Sequence, residues 1–154
     1  MKKWFNVFLA IFAVAVLSVA CSKDSEPQVE VLDVTRSNIA GVWMLESWND
    51  APLAEGSYIY IKFERSDRTY TMWQNVDSFY ARKLTGIYWI DIDEELGAVI
   101  RGNYDHGVGD WSHRYIVTDL TANRMVWTAK GDESDVSVYV RCDLPEEFVE
   151  GSEE

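Results

Sequence analysis

Tyr58-Ile59-Tyr60-Ile61-Lys62-Phe63-Glu64 alternates strictly: Ile59, Ile61 and Phe63 fall on one side of an extended chain, and Tyr60, Lys62 and Glu64 on the other. Successive side chains of a strand point to opposite faces, so this stretch predicts a strand with one buried face. The turn pair Ser66-Asp67 ends it, and β-branched and aromatic residues resume over Thr69–Asn75. Upstream, Gly41–Trp48 has the same character and stops at Asn49-Asp50 and Pro52. Downstream, strands are expected over Leu84–Ile92, closed by Asp93-Glu94-Glu95, and over Ala98–Gly102. A longer loop, Asn103–Asp110, carries Gly107 and Gly109. Trp111–Thr118, Arg124–Lys130 and, after the turn Gly131-Asp132, Asp135–Cys142 complete a set of eight. The one helical segment expected is a single turn, Arg36–Ala40, with Ser37 as its cap. Short strands joined by tight turns predict antiparallel neighbours, and eight of them expose edges unless the sheet closes. The fold class is therefore all-β, an eight-stranded antiparallel up-and-down barrel.

The barrel segment spans 38–145. Before it, Met1-Lys2-Lys3, an apolar run from Trp4 to Leu17 and the small residues Ser18-Val19-Ala20 have the three parts of a secretory signal, 1–20. The apolar run is short of the roughly 20 residues that span a bilayer. Leu17-Ser18-Val19-Ala20-Cys21 resembles a bacterial lipobox, with Leu one position further out than is usual. That resemblance implies cleavage before Cys21 and acylation of its thiol, hence a membrane partner through the lipid. Residues 21–37 are polar and acidic and read as a flexible tether. Acidic residues just after Cys21, in Ser22-Lys23-Asp24-Ser25-Glu26-Pro27, resemble the surface-export signal of some Gram-negative lipoproteins. The implied location is the cell envelope, on the outer membrane, with the periplasmic and the outer face both open. The acidic residues 146–154 read as a disordered tail.

Charge excludes one class of partner. The net charge is −12, and loss of Lys2 and Lys3 with the signal takes it to −14. Such a chain repels nucleic acid and anionic membrane surfaces. With Cys21 acylated, Cys142 has no partner for a disulfide, so the exported domain must be held by its core. Six of the seven tryptophans lie after Cys21 and supply that core.

Gly41-Val42-Trp43 opens the first strand after the short capped turn, and Arg141 stands near the end of the last. This arrangement resembles the Gly-X-Trp signature of lipocalins, in which a basic residue of the last strand packs across the signature tryptophan. The resemblance implies a calycin-type barrel over about 38–145, similar to small lipocalin-like lipoproteins of Gram-negative bacteria, with Trp43 and Arg141 as the pair that closes it. A guanidinium over an indole is physically apt for tying first strand to last. Thr118-Asp119 matches a further lipocalin position, but Leu120 stands where a tyrosine is usual.

No pattern for catalysis is present: no Gly-X-Ser-X-Gly, no phosphate loop, and no serine or cysteine spaced with a histidine in a known way. The reading is that the protein is not an enzyme. His106 and His113 with Asp105 and Asp110 do not make a zinc set, and Asp91, Asp93, Glu94 and Glu95 do not follow a calcium-loop order. No metal or cofactor is expected. Phe63, Tyr70, Met72, Tyr115, Trp127 and Tyr139 are the candidate lining of a ligand space. An eight-stranded barrel is just wide enough to be filled by side chains or to hold one small ligand. Two functions follow: a binding module for a small apolar or amphipathic ligand, or an envelope interaction protein with a filled barrel that binds protein or glycan through outer aromatics such as Tyr58, Tyr60 or Trp48.

Overall fold

A computed structural model describes residues 28–76, 80–105 and 109–149. The expected signal segment, the expected lipobox with Cys21, His106 and the end of the acidic tail lie outside the described residues. Within them, the strands are β1 (Gly41–Trp48), β2 (Ala51–Pro52), β3 (Tyr58–Phe63), β4 (Thr69–Asn75), β5 (Arg82–Asp93), β6 (Gly97–Tyr104), β7 (Gly109–Asp110), β8 (Tyr115–Thr118), β9 (Arg124–Ala129) and β10 (Asp132–Arg141). β2 and β7 are two-residue pairings at the ends of β1 and β6. The other eight run antiparallel to their neighbours in the order β10-β9-β8-β6-β5-β4-β3-β1, and β1 pairs β10 to close the ring. The barrel is thus the expected eight-stranded, up-and-down, all-β fold.

Strand limits depart from the sequence reading where neighbours extend them. β5 runs two residues beyond Leu84 at its start because Arg82 and Lys83 pair with Gln74 and Trp73. It pairs β4 through Arg82–Ile87 and β6 through Tyr88–Asp93, so one strand serves two partners in succession. β6 reaches Tyr104, inside the expected loop. Trp111 is not in a strand: its amide donates to Gly102 O (2.8 Å), and β8 starts only at Tyr115.

Alternation sorts the residues as the pleat requires. Trp43 and Leu45, Ile61 and Phe63, Tyr70, Tyr88, Ile100, Val117, Met125 and Trp127, and Tyr139 are buried and pack as one cluster. Two of the polar groups inside are satisfied by backbone carbonyls: Tyr88 Oη donates to Glu64 O (2.9 Å) and Trp43 Nε1 to Ile39 O (2.8 Å). Two glycines make room. Gly86 faces the Tyr70 ring and the Asn103 carbonyl, and Gly102 lies flat under the Trp111 indole; a Cβ at either would enter those groups.

One end of the barrel is sealed. The Arg141 guanidinium sits 4.1 Å from the Trp43 ring centre and donates to Ala122 O (2.7 Å), Ala40 O (2.7 Å) and Asn38 O (2.8 Å). Gly41 has φ +112°, and a Cβ there would lie 2.6 Å from Arg141 Nη1. The first residue of the Gly-X-Trp motif is therefore glycine for two reasons, backbone and space. Leu120 is buried beneath this end, and its carbonyl accepts from Leu32 N (2.7 Å).

Both flanks correct the sequence reading. The tether was expected to run to residue 37. Instead Leu32 and Val34 pack on the core, because their apolar side chains find the closed end. The helical turn α1 (Arg36–Ile39) is capped by Thr35, not Ser37: Thr35 Oγ1 accepts from Asn38 N (3.2 Å), three residues on, where an N-cap must reach. The tail was expected to leave the fold at 146. Instead Glu146–Phe148 forms a 3-10 turn, and Phe148 packs on Tyr58, Tyr60 and Trp73 with ring centres 5.3, 5.7 and 6.0 Å away. An acidic composition hid one aromatic anchor. Among the described residues no helix is long and apolar enough to cross a membrane.

Candidate functional site

The end opposite Trp43 and Arg141 is open, and two irregularities shape it. Opposite β10, Leu45 pairs Tyr139 but Ser47 pairs Val138, so Glu46 is an extra residue in β1. A bulge of one residue transfers the next side chains to the other face. Trp48, which strict alternation from Trp43 would point outward, therefore lies opposite Ser137 on the inner face. Between β9 and β10, Asp132 pairs Ala129 while Val136 pairs Thr128, and the loop-out between them carries Asp135. The two displaced residues meet: Trp48 Nε1 donates to Asp135 Oδ1 (2.7 Å). Asn49 fixes the junction, accepting from Val136 N at its side chain and donating its own amide to Val136 O, each at 2.8 Å.

Beneath this rim lies a cavity of about 140 Å³. Its walls are Leu45, Ile59 and Met72 on the β1–β3–β4 side and Trp111, Tyr115, Trp127 and Tyr139 on the other. Gln74, Tyr104, Ser112, Asp135, Ser137 and Trp48 form the rim. The aromatic wall is continuous: Trp127 lies 4.8 Å from Tyr139, 5.3 Å from Tyr115 and 6.0 Å from Trp111, ring centre to ring centre. Its lower edge continues into the filled half of the barrel through Phe63, 6.1 Å from Trp127.

Two of the expected lining residues do not reach this space. Phe63 packs edge-on against Tyr88 (4.9 Å) in the filled half. Tyr70 is spent on structure: its hydroxyl accepts from Trp111 Nε1 (2.8 Å) and donates to Asn103 O (2.9 Å). Their strand positions do face inward, but they sit too near the sealed end. Met72, Tyr115, Trp127 and Tyr139 do line the cavity. Trp111, Trp48 and Asp135 are the important residues that strand-by-strand reading missed. Trp111 enters from a loop, and the other two are inside only because of bulges. The outer-face aromatics are also placed differently from the sequence expectation: Tyr58 and Tyr60 are covered by Phe148, and Trp48 belongs to the rim.

The electrostatics of the cavity are simple. Among the described residues, Asp135 is the one lining residue with a formal charge at neutral pH, and no described Lys, Arg or His lines the cavity. Burial pushes the Tyr115 hydroxyl up to about 12, with the Asp135 carboxylate adding to the effect. Tyr139 is pushed up further, again by burial first, with Tyr115 and Asp135 contributing. Both phenols stay neutral and can donate as well as accept. Neither hydroxyl bonds to another described residue, yet no fully sealed polar side-chain atom in the described part lacks a partner. The two hydroxyls therefore open onto the cavity. Among the described residues no group of three or more His, Cys, Asp or Glu is placed to hold a metal ion. Cys142 follows the sealed end as a half-buried free thiol, its pKa raised by burial.

A second depression, about 720 Å³ and more open to solvent, lies outside the sealed end between Val34–Arg36, Ser66–Arg68 and Trp89–Ile92. It lacks an aromatic enclosure.

Comparison with known proteins agrees with this architecture. The family model described as a lipocalin-like domain matches residues 39–127, more than half of the chain, from the start of the sealed end into β9. No curated protein and no solved structure matches the chain.

Proposed function

The chain belongs to the lipocalin-like domain family, and from that premise we propose that it is a lipid-anchored, non-catalytic binding module that takes one small, largely apolar ligand into the open end of its barrel. The observation that carries the reading is the cavity of about 140 Å³ walled by Trp111, Tyr115, Trp127 and Tyr139. A cavity of roughly 150 Å³ with apolar walls accommodates a molecule the size of benzene. The ligand is thus a single ring or its equivalent, not a long acyl chain. The unbonded hydroxyls of Tyr115 and Tyr139 add polar contacts that would orient it. The Cys21 lipid would hold the barrel at the bacterial outer membrane, and the segment before Leu32 would supply the spacing.

Titration of the full chain with benzyl alcohol, followed by tryptophan fluorescence, tests the ligand reading. A saturable change is expected, and Ser137→Phe, which puts a ring into the space, should remove it. A linear, unsaturable response in both proteins would defeat the proposal. The anchor is tested separately. Intact mass after expression in a Gram-negative host should show acylation that Cys21→Ala abolishes, with the variant leaving the membrane fraction.

A further inference from the structure

We infer that the occupant of the cavity is a small organic cation, a single-ring or similarly compact ammonium compound, held by Asp135 and the aromatic wall; this rests on the binding reading above. Three observations converge on it. The first is charge: among the described residues a carboxylate is the one formal charge on the lining, and no described Lys, Arg or His lines the same space. The second is the state of that carboxylate. Trp48 Nε1 holds Oδ1, while Oδ2 takes no hydrogen bond from any described residue. An occupant that displaced water from this oxygen without supplying a donor would leave it unpaired, which is costly for an ionised group. A neutral hydrocarbon is disfavoured on that ground, and an anion more so. An ammonium group replaces the lost water with a charge-assisted hydrogen bond.

The third observation is the wall itself. Trp127 stands with its ring centre 4.8 Å from Tyr139, 5.3 Å from Tyr115 and 6.0 Å from Trp111, so one side of the cavity is walled by aromatic rings packed on a central indole. Ring faces are negative, and several around one cavity attract a cation while excluding an anion. The neutral phenol hydroxyls face the same space and accept hydrogen bonds from an N–H donor. The bulge at Glu46 and the loop-out that carries Asp135 give this end of the barrel its acid. Without them the rim would hold neither Trp48 nor its carboxylate partner.

The experiment compares three compounds of one shape on the full chain: benzylammonium, benzyl alcohol and benzoate. Binding is read by tryptophan fluorescence and by calorimetry, with Ser137→Phe as the blank for partition into detergent. Benzylammonium should bind at least tenfold tighter than benzyl alcohol, and benzoate should not bind. Asp135→Asn keeps the shape and an acceptor for Trp48 but removes the charge. It should cut benzylammonium affinity at least tenfold and benzyl alcohol affinity less than threefold, so that the preference for the ammonium is lost. Equal affinity of the wild-type chain for ammonium and alcohol would overturn the cation assignment while the binding-module reading stood. Binding of none of the three would take both down. Loss of benzylammonium affinity through a general collapse of Asp135→Asn would show as loss of benzyl alcohol binding too. In that case Asp135→Glu must retain the ammonium preference, or the assignment fails.

Discussion

Arg141 is the residue on which closure concentrates. Its guanidinium stacks on Trp43 and gives hydrogen bonds to three carbonyls, two from α1 and its C-cap and one from the β8–β9 turn. A hydrogen bond to a charged group contributes about 1.5–3 kcal/mol, and a partly desolvated cation–π contact about 0.5–2 kcal/mol. Arg141→Met should therefore lower unfolding stability by roughly 3–5 kcal/mol, since three carbonyls lose their donor. Arg141→Lys should recover less than half, because an ammonium cannot span the three directions of the fork. Urea unfolding measures both; a loss under about 1 kcal/mol for Met would show that the sheet closes without this pair. Gly102 gives a second prediction. Alanine there pushes on the Trp111 indole, whose Nε1 would leave Tyr70, at a cost of about 1–3 kcal/mol from overpacking. The fluorescence spectrum should change with stability, and an unchanged spectrum would mean that the indole does not lie on the glycine. Trp43, Arg141 and Gly41 were legible in the sequence because chemistry and position coincide in them. Phe63 and Tyr70 were legible as inward-facing, but depth along a barrel is not a property of alternation, and both proved to lie below the cavity.

At the scale of elements, the eight long strands follow from period-two patterning and turn residues, and their order follows from short connections. The irregular pieces do not. A bulge such as Glu46 leaves no mark in composition, yet it decides that Trp48 is rim and not outer surface. The segment after β10 is similar: Glu146 and Glu147 read as tail, while Phe148 makes it a strap over the outer face of β3 and β4. That strap carries the third prediction. Phe148→Ala uncovers Trp73, which is 8 % exposed, and removes three ring contacts of 5.3–6.0 Å. Aromatic pairs contribute about 0.5–1.5 kcal/mol each beyond area, and this strap is at the surface, so a loss of about 1–2 kcal/mol is expected. Emission should shift to the red as Trp73 meets water. Cavity binding should be unchanged, because Phe148 and the cavity are on opposite faces of the same strands.

For the whole molecule, the buried phenols make stability sensitive to alkali. Tyr70 and Tyr115 are each pushed up to about 12, and Tyr139 beyond them, in every case by burial first. In the unfolded chain these groups titrate near 10. A folded pKa above the unfolded one means that the native state keeps its proton longer. The stabilisation is complete below pH 10 and drains away as pH rises from 10 towards 12 while the unfolded chain ionises. The acidic side has the opposite sign. Lys130 is the main cause that holds Asp93 down at about 2, so its contribution is present above the usual carboxylate range and is lost as pH falls towards 2. The melting temperature should therefore fall steeply between pH 10 and 12. Tyr139→Phe isolates one group: its hydroxyl bonds to no described residue, so the substitution breaks no hydrogen bond and removes one titrating proton. Below pH 10 the variant should melt within a few degrees of wild type. Between pH 10 and 12 its curve should be shallower, so that the two diverge in the variant's favour as alkali is added. Parallel curves through that window would mean that the Tyr139 hydroxyl already meets bulk water through the mouth. The space beneath Asp135 would then be a wet cleft, not an enclosed pocket.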